Sequence, residues 1–244
     1  MIVTILGSGS GKSDLDHHHA ALLVAHEKAT LLLDCGEGTS RQLLRNAIAP
    51  DTLDAIAISH LHPDHVTGLF MVLQNLYLNG RKKPLNIFLP ERVEDVIAAL
   101  NLFYLFPQRL SYEIRFSEME EFSGQYPFVQ CFPTSHMSGY QGFATAHGLT
   151  NECLSWGFVV RETRQLLYSG DVQSINEIKK YLPETDLLII DAFHTSAEEI
   201  LLLKDLVKGR VILNHGLSYA LGRMFENRLE TGYEIAHENK TYRL

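Results

Sequence analysis

Residues 60 to 65 read His-Leu-His-Pro-Asp-His, directly after the stretch Asp54-Ala-Ile-Ala-Ile-Ser59. Four strong metal-binding side chains, His60, His62, Asp64 and His65, fall at the point where a strand should end. His60 and His62 alternate with Leu61, so an extended backbone points both imidazoles the same way. Pro63 favours a tight turn that carries Asp64 and His65. One ion cannot comfortably take all four ligands from so short a loop. The pattern suits two adjacent metals, each taking part of the set, and that points to two-metal hydrolysis. A lone histidine is more often packed or solvated, but ionisable groups clustered after a buried strand are costly without a function.

Other blocks of the same kind follow apolar runs along the chain. Asp34-Cys-Gly-Glu-Gly38 comes after Thr30-Leu-Leu-Leu33, and Thr134-Ser-His136 ends a second extended run. Tyr168-Ser-Gly-Asp171 follows a strand, and Asn214-His-Gly216 follows Arg210-Val-Ile-Leu213. With His60-x-His62-x-Asp64-His65 these blocks resemble, in order, the metallo-β-lactamase superfamily over residues 2 to 218. Leu6-Gly-Ser-Gly-Ser10, Asp34-Cys-Gly-Glu-Gly-Thr39 and His194-Thr-Ser-Ala-Glu-Glu199 are similar to its ribonuclease Z group and that group's phosphodiesterase relatives.

The resemblance implies an α/β fold, a four-layer αββα sandwich of two mixed β-sheets. It implies a cofactor of two divalent metal ions. His60, His62 and His136 would hold the first, Asp64, His65 and His215 the second, and Asp171 would bridge them. A metal-bridging hydroxide would then attack phosphorus or a carbonyl carbon. Imidazole-rich ligation favours Zn2+, and the mixed N/O set also suits Mn2+ or Fe2+. Asp34 would orient a ligand imidazole through its other nitrogen; a plain turn aspartate before Gly36 is the alternative. His194, held by Asp191, would be the general acid that protonates the leaving oxygen, and these two stand with Asp64 as the catalytic residues. Thr195 or Ser196 could also cap a helix with Glu198 and Glu199 in its first turn.

Extended runs lie near 2–6, 20–25, 29–33, 54–59, 85–89, 111–116, 127–132, 154–160, 165–169, 186–191 and 210–214. Helical patterns lie near 38–47, 66–78, 91–105, 173–181 and 196–207. Tyr233 to Leu244 reads as a hairpin around Glu238-Asn-Lys240. No linker rich in Pro, Gly or Ser divides the 244 residues, so one hydrolase domain over 1–244 is expected. At 45% hydrophobic and 20% charged residues the composition is that of an ordinary globule. No run reaches the ~18 apolar residues of a membrane helix, and the start of the chain does not read as a signal peptide. Cys35, Cys131 and Cys153 are scattered and odd in number, which suggests reduced thiols and a cytoplasmic protein.

The substrate is read from charge and from what lies between the motifs. The formal charge of −8 is unlike that of a protein that grips a long nucleic acid. Bacterial short-form ribonuclease Z carries a basic, glycine-rich arm between its third His motif and the bridging Asp. Residues 137–160 hold no Lys or Arg. A small phosphodiester is therefore the expected partner, with Tyr140, Phe143 and Trp156 as candidate walls for a ring. The sequence leaves a homodimer open and gives no sign of a membrane partner. Ribonuclease Z itself, a thioester or lactone hydrolase, and a non-catalytic metal-binding protein are the alternatives. Among the other histidines, His17 and His19 should face one side of an extended segment and His18 the other, with one of them able to line the rim. His26, His147 and His237 are expected at the surface. Gly7-Ser-Gly-Ser-Gly-Lys-Ser13 mimics a phosphate-binding P-loop, but the first glycine of that motif falls on Leu6.

Overall fold

The computed structural model describes residues 1–227 and 232–244. Leu31, Leu32 and Leu33 are all fully buried, which a half-exposed strand would not allow. Leu31 and Leu33 enter a core between two sheets, while Leu32 joins an outer layer under helices. Leu187 and Ile189 share the same central core, and Leu188 and Ile190 face the opposite outer layer. Burial on both faces is why these strands read as continuous apolar runs. The result is the αββα sandwich.

The first sheet contains β1 (Ile2–Gly7), β2 (Ala21–Ala25), β3 (Thr30–Leu33), β4 (Ala55–Ala57), β5 (Leu85–Leu89) and β6 (Ile114–Glu118), side by side in that order. The second contains β7 (Val129–Pro133), β8 (Trp156–Arg161), β9 (Gln165–Tyr168), β10 (Leu187–Asp191) and β11 (Arg210–Asn214). Strands β3 to β6 run parallel, as do β9 to β11. Helices α1 (Thr39–Arg45), α2 (Pro63–Val66), α3 (Gly68–Leu78) and α4 (Val93–Leu102) lie by the first sheet, with Leu43, Leu69, Val72, Leu73, Leu76 and Leu100 in its outer layer. The short α5 (Phe122–Gln125) and α6 (Gln141–Ala146) flank β7 in sequence. Helix α7 (Ala197–Leu206) covers the second sheet through Ala197, Ile200 and Leu203, one apolar stripe at helical spacing. Its N-cap is Ser196, whose Oγ accepts from Glu199 N. Helix α8 (Tyr219–Asn227) follows β11.

Three expectations fail, each for a non-local reason. The hairpin of Tyr233 to Leu244 does not form. β12 (Tyr233–Ile235) extends the second sheet parallel to β11, and β13 (Thr241–Arg243) extends the first antiparallel to β1. Each strand gains an existing sheet edge, which a free two-stranded hairpin lacks. Residues 173–181 make only a 3₁₀ turn at Ile175–Glu177. The Glu177 carboxylate folds back to accept from Gln173 N and Ser174 N and reaches out to Ser135 N, holding the turn tight. His26 is buried, not on the surface. Its ring stacks on Phe128 with centroids 3.8 Å apart, and Nε2 meets the Arg161 carbonyl at 3.1 Å. His147 and His237 are exposed.

Candidate metal centre

The parallel strands β3, β4, β9, β10 and β11 end at one rim, and the loops that leave them converge there. In open α/β sheets the carboxyl ends of strands are where ligand sites form. Ser59 N donates to Asp34 Oδ1 (2.7 Å), tying the loop after β4 to the loop after β3. Trp156 N donates to Ser59 O (3.0 Å) and joins the second sheet to the same point. Pro63 opens α2 at its first position, so Asp64 and His65 leave from one helical turn rather than a free loop.

Every candidate ligand reaches this rim. His60, His62 and His136 offer donor atoms that lie within 4.8 Å of one another, and so do Asp64, His65 and His215. His62 Nδ1 is 3.0 Å from His60 Nε2 and 3.1 Å from His136 Nε2. Asp64 Oδ2 lies 3.6 Å from His65 Nε2 and 3.7 Å from His215 Nε2. Asp171 stands between the two groups. One oxygen is 3.4 Å from His65 Nε2; the other is 3.2 Å from His215, 3.6 Å from His136 and 3.8 Å from His60. The donor set therefore divides three and three about one carboxylate.

The surroundings fit a cation pair. His65 Nε2 is buried and has no hydrogen-bond partner, while its Nδ1 is held by Asp34 Oδ2 at 2.9 Å. Asp34 also accepts from Ser59 Oγ and from the Tyr168 hydroxyl at 2.7 Å. A buried imidazole with one nitrogen fixed by a carboxylate and the other bare is the arrangement of a metal-binding histidine. Asp34 and His215 both adopt left-handed backbone, at φ 60° and 66°, a region uncommon outside glycine that Asp and His tolerate better than most.

Electrostatics divide the histidines. Burial lowers His60 and His62 below the ordinary imidazole value and pushes His136 down to about 4, so all three stay neutral and free to ligate. Burial acts the same way on His65 and His215, but the Asp171 carboxylate outweighs it, and Asp34 adds to it at His65, so both are raised. Burial pushes Asp171 upward, yet His215 and His65 hold it well below the usual carboxylate range. The attraction that raises these imidazoles is the one that would favour a metal cation.

His194 sits beside the ligand groups. Its Nδ1 is 2.9 Å from Asp191 Oδ2 and 3.6 Å from Asp171 Oδ2, and its ring lies 4.6 Å from that of His136. Asp191 Oδ1 accepts from Phe193 N and His194 N, so one carboxylate sets both backbone and ring. Burial lowers His194, the Asp191 hydrogen bond and charge raise it, and the net shift is upward.

The other histidines and aromatics place unevenly. His18 Nδ1 pairs with Glu238 Oε2 at 2.6 Å, and Gln42 Nε2 donates to the same oxygen at 2.6 Å. His17 pairs with Asp14, while His19 bonds Ser13 Oγ at 3.0 Å and lines the cleft over the cluster. Tyr140 stands edge-on to His62 at 5.4 Å. Phe143 stacks on His147, and Trp156 packs against the central core. Sequence reasoning placed Glu238 in a hairpin turn and gave it no contact with His18, which lies far along the chain.

The chain is 37% identical to the ribonuclease Z of Methanococcus aeolicus over 97 residues, 40% of this chain and 30% of that relative. It is 26% identical to the ribonuclease Z of Methanosarcina acetivorans over 87% of this chain and 86% of the relative. The crystal structure of human tRNase Z, short form, superposes with a TM-score of 0.71 at 21% identity, covering 100% of this chain and 99% of that one. That likeness shows a shared metallo-β-lactamase fold. The family model described as Anti-Pycsar protein Apyc1 matches residues 1–223.

Proposed function

The chain belongs to the Anti-Pycsar protein Apyc1 family, and from that premise we propose that it is a binuclear metal-dependent hydrolase acting on a small phosphodiester. One observation carries the reading: loops distant in sequence bring seven nitrogen and oxygen ligands to one rim, split three and three about Asp171. His60, His62 and His136 would hold one divalent ion, and Asp64, His65 and His215 the other. Such an ion pair supplies, when bound, a more acidic water and positive charge for the substrate oxygens.

The chain's own residues account for the rest. Asp34 fixes the His65 ring, and Asp171 faces both ligand groups. A water gives up one proton to solvent, its oxygen bonds to phosphorus, and the bond to the leaving oxygen breaks with its electron pair. His194 donates Nδ1–H to Asp191, which leaves Nε2 to carry the proton to that oxygen. A cleft of about 540 Å3 opens onto His62, Asp64, Asp171, His194 and His215, with room for a small diester and a water.

The small-substrate reading is supported by the interval between His136 and Asp171. Only a 3₁₀ turn, the six residues of α6 and β8 fill it, with no Lys or Arg in 137–160. Ribonuclease Z activity is the second reading, favoured by the relatives that bear that name. The two separate in one assay of the metal-loaded protein on precursor tRNA and on a small diester such as bis(4-nitrophenyl) phosphate or a cyclic nucleotide. Cleavage of the small diester is the expected result. Efficient trimming of the tRNA 3′ end with the diester untouched replaces the proposal. Opening of a thioester or lactone alone removes the phosphodiesterase assignment and keeps the hydrolase.

A further inference from the structure

Residues 10–17 form one loop along the wall of the cleft over the histidine cluster. Ser10, Gly11, Lys12 and Ser13 line that cleft, while residues 11–17 are exposed and Leu15 fully so. An added Cβ on Gly11 would lie 3.4 Å from Asp64 Oδ2, so the loop passes close over a candidate ligand. Its two ends meet at a neck. Gly9 N donates to His18 O at 2.8 Å, and His19 Nε2 bonds Ser13 Oγ at 3.0 Å. A surface loop whose ends close on each other depends on few contacts for its place.

The neck is fastened from the other end of the chain. Glu238 stands between β12 and β13, which join the edges of separate sheets. Its Oε1 accepts from His18 N, and its Oε2 takes His18 Nδ1–H at 2.6 Å. Gln42 Nε2, from α1, donates to the same Oε2 at 2.6 Å. The Glu238 side chain is 10% exposed, and Gln42 is fully buried. The turn that bears Glu238 is itself tied down: Asn239 N donates to Ile5 O at 2.7 Å, and Asn46 Nδ2 donates to Asn239 Oδ1 at 2.6 Å. A carboxylate that accepts several hydrogen bonds away from water is a strong anchor.

We propose that Glu238 is a positioning residue: by holding His18 it closes the neck of the 10–17 loop and sets the wall against which the substrate binds. The proposal rests on the phosphodiesterase reading above and adds the C-terminal segment to what governs that site. Lys12 gives this wall a positive charge suited to an anionic diester. With the neck open, the wall moves while the ligand groups, held by other loops, stay in place. Binding of substrate should then suffer more than the chemical step.

Trypsin reads the loop without any turnover, because it cuts after Lys12 once the neck opens. In Glu238→Ala, cutting at Lys12 under native conditions should quicken by about tenfold or more relative to cuts elsewhere, the scale of one lost hydrogen bond to a charged group. His18→Ala should do the same, and the double variant should add little to either single change. If Glu238→Ala does not fold, His18→Ala decides. Glu238→Gln should restore wild-type cutting. Its carbonyl accepts from His18 N, and its amide donates to the other tautomer of His18 and to Gln42 Oε1, which is buried without a partner. On bis(4-nitrophenyl) phosphate, Glu238→Ala should raise KM by about tenfold with kcat within about twofold and both metals retained. Unchanged cutting at Lys12 in both single variants overturns the clamp. Faster cutting with unchanged KM, or a fall in kcat and metal content with no rescue by Glu238→Gln, overturns the positioning role. A wild-type protein that cleaves no diester overturns the phosphodiesterase reading instead, and the trypsin comparison still decides the clamp.

Discussion

Asp191 acts on His194 in two ways: it holds the ring through Nδ1 and raises the imidazole above its ordinary value against the effect of burial. A general acid must start protonated, so activity should fall as pH rises through this raised value. Asp191→Asn removes the charge that raises it. His194 then loses its proton at lower pH, and the alkaline limb of kcat should move to lower pH; an unmoved limb would separate Asp191 from the acid. His194→Ala should slow cleavage of esters with poor leaving groups by roughly 10²–10⁴. Activated aryl esters, whose leaving oxygen needs little help, should suffer far less. Both metals should be retained in that variant, and loss of an ion would make His194 a ligand. Asp34 touches the candidate ligands directly at His65 and, through Ser59 Oγ, at His60. Asp34→Ala should weaken metal affinity by roughly 10–100-fold, read by competition with a chelating dye.

At the scale of elements, α2 carries Asp64 and His65, and two glycines let it and the start of α3 approach the loop after β3 closely. A Cβ on Gly68 would stand 1.9 Å from Gly36 O, and one on Gly36 would stand 2.2 Å from Asp64 O. Gly68 N also donates to Cys35 O at 2.9 Å. Gly68→Ala must therefore push the helix off the loop after β3. The expected loss is about 1–3 kcal/mol in denaturant unfolding, with weaker metal retention as its companion; wild-type stability would refute the contact. The strands and the loops of the candidate ligands were legible because those loops follow apolar runs. The fate of β12 and β13 was not, because two short strands read alike whether they pair together or with separate sheets. Glu238 shows the same difficulty at a single side chain: it meets His18 across 220 positions, which no local pattern encodes. Residues 173–181 read as a helix by apolar spacing, but the Glu177 carboxylate satisfies backbone groups in a tighter turn.

For the whole molecule, charge and topology bear on what the site admits. The chain carries a formal −8, and no helix among the described residues is long and apolar enough to cross a membrane. With that net charge and no Lys or Arg in 137–160, long single-stranded RNA should bind weakly, with a shallow dependence on salt. Fluorescence anisotropy at two salt concentrations checks this, and a steep slope would reveal a basic surface that the sequence does not suggest. Seven donor residues converge on one rim, and together they would hold two ions. Elemental analysis of gently purified protein, reconstituted with zinc or manganese and freed of excess metal, tests that directly. About two ions per chain, lost at least in part in Asp171→Ala, is the expected result. No bound ion after reconstitution, or full retention in Asp171→Ala, would contradict it.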